Sequence, residues 1–109
     1  MSPSGLVSVW ITCASAEQAE SLGRALVEER LAACANVLPG VTSIYRWQGV
    51  VQRDAETGLL LKTRAELFAA LEARVRAMHS YEVPCVVSWP IEAAGEAYAR
   101  WVREQTGPG

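Results

Sequence analysis

The chain has 109 residues, 50% of them apolar and 20% charged, with a formal net charge of −2. This suits one domain with a modest core, excludes a charge-rich disordered chain, and argues against phosphate-backbone binding, so nucleic acid is not an expected partner. No apolar run reaches the roughly 20 residues of a membrane span, and Met1-Ser2-Pro3-Ser4-Gly5 lacks the basic start of a secretory leader.

The first element is a strand over Leu6 to Cys13, with Val7, Val9, Ile11 and Cys13 on one face and Ser8, Trp10 and Thr12 on the other. Ala14-Ser15-Ala16 imitates a leader cleavage site, but Ser15 and Gln18 stand at capping-box spacing. Ala19, Leu22, Leu26 and Val27 then follow at helical intervals, which predicts a helix running to about Ala33. From Cys34 to Trp47 the residues become β-branched and aromatic, with a bend or bulge at Pro39-Gly40; Gln48-Gly49 reads as a hairpin turn. A third strand returns through Val50-Val51 and Leu59 to Thr63, its polar middle from Gln52 to Thr57 forming a projecting rim.

Thr63 and Glu66 repeat the capping-box spacing, and Phe68, Leu71, Val75 and Met78 make a stripe that seats a second helix ending near His79. Val83 to Ile91 reads as a fourth strand, and Tyr98, Trp101 and Val102 belong to a short last helix. The order is the split βαβ, ferredoxin-like α+β pattern, with both main helices on one face of an antiparallel sheet. Residues 1–109 form one domain, with 1–5 and 106–109 expected as loose ends. Trp10 and the run Leu59-Leu60-Leu61 place apolar groups on the uncovered face, which favours association of several subunits over half-exposure in a monomer.

Cys13, Cys34 and Cys85 are odd in number and widely spaced, fitting neither a secreted disulfide framework nor a paired CxxC zinc site; a cytoplasmic location is expected. In a split βαβ sheet the first and fourth strands are antiparallel neighbours, so Cys13 approaches Cys85, and the end of the second helix brings Met78 and His79 to the same corner. Thiolate and thioether ligands favour Cu(I), and imidazole also suits Cu(II) or Zn(II). Each residue also has a structural role open to it. Cys13 can be a buried small hydrophobe, Met78 the last residue of a core stripe, and His79 a helix C-terminal cap. A Cys13–Cys85 disulfide is a further alternative if their Cβ atoms come within about 4 Å. With one histidine, no GxSxG elbow and no glycine-rich phosphate loop, no enzymatic activity is expected. Tyr45, Arg46 and Trp47 offer either a binding surface or rim packing; Lys62 and Glu82 either line a polar cleft or are solvated charges.

The segments Glu29-Arg30-Leu31-Ala32-Ala33-Cys34-Ala35-Asn36-Val37, Pro39 to Gly49, Leu61-Lys62-Thr63-Arg64, His79-Ser80-Tyr81-Glu82-Val83-Pro84 and Tyr98-x-x-Trp101 together resemble the signature of the CutA divalent-cation tolerance family. The likeness extends from Leu6 to about Thr106. It implies a homotrimer joined through its sheets, a role in the response to copper and other divalent metals, and a shape similar to the PII signalling proteins, with intersubunit clefts. By position, it assigns metal-associated roles to Cys13 and His79, with Met78 where some members carry a histidine. Cys85 replaces the family's usual glutamate and Ser80 its proline, which makes the implied ligand set softer. The resemblance offers two functions: a trimeric binder of copper, as Cu(I) or Cu(II), or of a similar ion, through Cys13, His79, Cys85 and Met78; or a PII-like signalling or scaffolding trimer working through an intersubunit cleft, with Tyr45, Trp47, Lys62, Tyr81 and Glu82 as candidates.

Overall fold

The computed structural model describes residues 3–108. In chain order the elements are β1 (Leu6–Cys13), α1 (Ala16–Glu28), β2 (Cys34–Trp47), β3 (Val50–Arg64), a 3-10 turn (Ala65–Leu67), α2 (Phe68–Met78), β4 (Val86–Ile91) and α3 (Glu96–Gln105). The strands form one antiparallel sheet in the order β2-β3-β1-β4, the expected ferredoxin-like α+β arrangement.

Alternation along the strands puts Val7, Val9, Ile11, Cys13, Leu59 and Leu61 on the face covered by α1 and α2. There they meet Ala19, Leu22 and Leu26 of α1 and Leu71 and Val75 of α2 in the main core. Burying each large aliphatic side chain contributes roughly 1.5–3 kcal/mol. Phe68 and Met78, the outer members of the α2 stripe, pack against the edge of this core.

Helix α1 starts as its sequence implies. Ser15 is extended and its hydroxyl accepts from the Gln18 N–H at 3.1 Å, while the Gln18 side-chain Oε1 accepts from the Ala14 N–H at 2.9 Å. It stops at Glu28, short of the expected Ala33. Arg30 adopts φ 62°, and the Leu26 carbonyl accepts from both Leu31 and Ala32, turning the chain so that the Ala33 N–H reaches the Lys62 carbonyl at 2.9 Å. Joining the sheet thus overrides helical periodicity here.

The expected cap at Thr63 is also corrected. Thr63 is the penultimate residue of β3, fully buried, and its hydroxyl donates to the Leu31 carbonyl at 2.7 Å; α2 is entered through the 3-10 turn without a side-chain cap. Strand β4 begins at Val86 rather than Val83, leaving residues 80–85 as a loop.

Beyond the helix-covered region, β2 and β3 continue as a long hairpin, and the molecule measures 44 × 25 × 23 Å. The expected polar segment Gln52–Thr57 lies within continuous β3, paired with β2. The pairing passes from Leu38↔Gly58 to Val41↔Glu56, one extra residue on β2, so Pro39-Gly40 is a bulge as anticipated. Gln48 and Gly49 both have positive φ, 50° and 82°, as a type I′ turn demands.

On the opposite face, Trp10 lies across Gly58, where an added Cβ would stand 2.2 Å from the indole; only glycine admits this contact. Helix α3 covers one end of this face, packing Ala99 and Val102 on Leu6 and Ala33. The chain end expected to be loose is tied down through Gly107. Thr106 is fully buried, the Arg64 guanidinium donates to Thr106 Oγ1 at 3.0 Å and to the Thr106 and Arg103 carbonyls at 2.6 Å, and the Gly107 N–H reaches the Arg30 carbonyl. Arg30 in turn donates to the Gly107 and Glu104 carbonyls. Near the start, the Ser4 hydroxyl donates to the Ile91 carbonyl. Met1, Ser2 and Gly109, also expected to be loose, lie outside the described residues.

Candidate functional site

A cleft of about 740 Å³ opens where the hairpin base meets the end of β1 and the 80–85 loop. The bulge sets its chemistry. By adding one residue to β2, it puts Ser43 opposite Asp54 and Val41 opposite Glu56, so that Ser43, Tyr45 and Trp47 share the face of Asp54 and Glu56. The loop contributes Tyr81, Glu82 and Cys85 from the other side.

The cleft is acidic. Asp54, Glu56 and Glu82 line it, and no lysine or arginine does. Tyr45 donates its hydroxyl to Asp54, and Tyr81 donates to Glu56 at 2.7 Å. The Tyr45 phenol is held above its ordinary range chiefly by the hydrogen bond to Asp54. For Tyr81 burial is the larger cause and the bond to Glu56 the next. Burial, then the nearby Glu56 charge, pushes the Cys13 thiol up to about 11; partial desolvation at the cleft wall, then the same charge, raises that of Cys85, which remains exposed as a residue. Glu56 is therefore the common electrostatic neighbour of two thiols and two phenols.

Among the residues singled out from sequence, Tyr45, Trp47, Tyr81, Glu82 and Cys85 all line this cleft. Lys62 does not; its ammonium donates to Asn36 at 2.9 Å. Cys13 and Cys85 come from adjoining strand ends but differ in setting: Cys13 is fully buried in the helix-side core and Cys85 is exposed, and both are free thiols, as is Cys34. Met78 packs against that core. His79 is buried, with Nε2 2.9 Å from the Thr12 carbonyl and Nδ1 accepting from the Tyr81 N–H at 3.1 Å. Its backbone N–H closes α2 on the Val75 carbonyl, so the residue caps the helix through its main chain while its ring turns to β1.

A metal ion does not fit the Cys13, Met78, His79 and Cys85 set in this arrangement. Both imidazole nitrogens are engaged, the Cys13 thiol is buried with a raised pKa, and no three His, Cys, Asp or Glu side chains among the described residues gather as a ligand group. Cys85 differs: its exposed thiol on the cleft wall is a single sulfur donor of the kind a borderline or soft ion prefers. The sequence reading missed Asp54 and Glu56 as cleft residues. The available signal was their period-two spacing, which acquires meaning only once the bulge has placed Ser43 and Tyr45 opposite them.

The fold and cleft define a ferredoxin-like α+β protein with an acidic cleft lined by aromatic side chains. Residues 7–105 match the model of the CutA1 divalent ion tolerance protein family. The chain is 52% identical over 99 residues to the divalent-cation tolerance protein CutA of Thermus thermophilus, covering 91% of this chain and 96% of that protein. It is 40% identical to the human protein CutA over 95% of its own length, spanning 58% of the human chain. A solved Cut A1 structure from Thermus thermophilus superposes with TM-score 0.91 at 51% identity, covering 94% of this chain and 99% of the other. A CutA structure from Archaeoglobus fulgidus, named as periplasmic, superposes at 0.89 with 37% identity, covering 92% and 97%. The chain belongs to the CutA divalent-cation tolerance family.

Proposed function

We propose that this chain works as a homotrimeric, cytoplasmic divalent-cation tolerance protein that takes up an ion of the copper type, as Cu(I) or Cu(II), at the cleft. The observation carrying this reading is the exposed Cys85 thiol in a cleft with Asp54, Glu56 and Glu82 and no cationic side chain. Cys85 would hold the ion through sulfur, with Glu56, whose charge acts on that thiol, as a compensating anion; the ion itself would favour the thiolate form. The trimer reading is supported by exposed apolar groups away from the main core, including Ile44, Val51, Val87 and Trp89.

Cu(I) titration of the native assembly under reducing conditions tests this function. Cys85→Ser is expected to weaken uptake at least tenfold and Glu56→Gln to weaken it less, while Cys13→Ser leaves it unchanged. Uptake unaffected by Cys85→Ser would sink the reading. Because Cys85 must lose a proton held by its environment, uptake should strengthen as pH rises.

A second reading, a PII-like trimer that binds a small ligand or partner, is favoured by the cleft's size. Its volume of about 740 Å³ and the Tyr45, Trp47 and Tyr81 side chains suit an organic ligand better than a bare ion. Binding that persists with a chelator present and is weakened by Trp47→Ala would support it.

A further inference from the structure

We infer that His79 is the pin of the cleft's loop wall and not a metal ligand. Residues 80–85 lie between α2 and β4, and β4 pairing with β1 begins only at Val86, opposite Ile11. The side-chain hydrogen bonds of the loop gather at its start. The His79 ring reaches the Thr12 carbonyl, the Tyr81 N–H reaches the His79 ring, the Tyr81 hydroxyl reaches Glu56, and Gln18 Nε2 donates to the Ser80 hydroxyl at 2.8 Å. The imidazole and phenol also pack against each other in a tilted arrangement, 4.6 Å between centroids and 48° between planes. Glu82, Val83 and Cys85, farther along, are exposed.

These contacts fix the chemistry of the ring. A carbonyl can only accept, so Nε2 carries the proton toward Thr12; an amide N–H can only donate, so Nδ1 presents its lone pair to Tyr81. Ligation at Nε2 would remove the donor to Thr12. Ligation at Nδ1 would leave the Tyr81 amide without its acceptor, and with it the placement of the phenol on Glu56. Either change would loosen the wall that presents Glu82 and Cys85. His79 is thus a positioning residue, setting the loop against β1 so that the cleft has a second side. This inference rests on the cleft being the working surface, but it does not depend on which ligand enters.

His79 is the single histidine of the chain, so nitrogen NMR of the labelled native protein reads one imidazole per chain. The expected spectrum shows the neutral Nε2–H tautomer. It should be unchanged on adding Zn(II) alone or Cu(I) alone to one equivalent, with uptake followed separately by equilibrium dialysis. Movement of either ring nitrogen to a metal-bound shift would overturn the inference.

If dialysis detects no uptake, the metal reading of the cleft fails, and hydrogen exchange judges the pin independently. His79→Ala should speed exchange at Tyr81 and its loop neighbours by roughly five- to tenfold, with β1 and β3 core amides unchanged. His79→Asn, which offers a carbonyl oxygen near the Nδ1 position, should recover part of the Tyr81 protection. Equal Tyr81 protection in wild type and both variants would overturn the inference. Should the alanine variant fail to fold, His79→Phe, which keeps a ring but offers the Tyr81 N–H no acceptor, takes its place: Tyr81 should exchange faster in it than in His79→Asn, and equal protection in the two would overturn the inference.

Discussion

On the helix-covered face of the sheet, Val9, Ile11, Leu59 and Leu61 are fully buried, whereas on the other face Val87 and Trp89 each remain 47% exposed even with α3 packed over one end. Both faces arise from the same strands by simple alternation. The first is completed by helices of its own chain; the second keeps apolar surface available for another copy. Stability of the single chain and assembly of the proposed trimer should therefore separate under mutation.

The largest effect is expected for Leu59→Ala on the completed face, a loss of about 2–5 kcal/mol in urea denaturation, because the site is hemmed in by α1 and β1 and cannot collapse. Gly58→Ala comes next. Its new methyl must displace the Trp10 indole, lowering stability by about 1–3 kcal/mol and changing the indole fluorescence. A comparable effect should appear with alkali. The Cys13 thiol rises from 9.0 to about 11 on folding, so the stability it contributes as a neutral thiol is complete below about pH 9 and is lost as pH rises through about 11. Cys13→Ala should flatten that part of the pH–stability curve. Trp89→Lys on the open face should alter the stability of the isolated chain by only about 0.5 kcal/mol, yet shift sedimentation from trimer toward monomer. A trimer unchanged by Trp89→Lys would weaken the contrast between the faces. Arg74→Ala, removing the solvent-exposed pair with Glu29 between α1 and α2, should be the smallest change, within about 1 kcal/mol.

The strands and helices were legible because their patterns repeat along many residues. Val7, Val9 and Ile11 announce one buried face of β1, and Ser15 with Gln18 announces the start of α1. The boundaries missed are those where a distant partner decides. Nothing local to Ala33 reveals the Lys62 carbonyl, and Thr63 looks like a cap until its hydroxyl finds Leu31. The end of β1, the end of α2 and the loop before β4 do meet at one corner, as strand adjacency implies, but their side chains go to different places. Strand adjacency fixes backbones, while the pleat sends Cys13 into the core and the Cys85 thiol lies exposed at the cleft. Asp54 and Glu56 stayed hidden because their meaning depends on a one-residue bulge in the neighbouring strand.

The clasp on the chain end behaves differently from an ion pair. Arg64 and Arg30 direct their guanidinium groups at backbone carbonyls of Arg103, Glu104, Thr106 and Gly107, and at the Thr106 hydroxyl, all neutral acceptors. Dissolved salt has no opposite charge to screen away there. Concentrated electrolyte that loosens the Arg74–Glu29 bridge between the helices should leave the tail seated, and with it the end of α3 against the sheet.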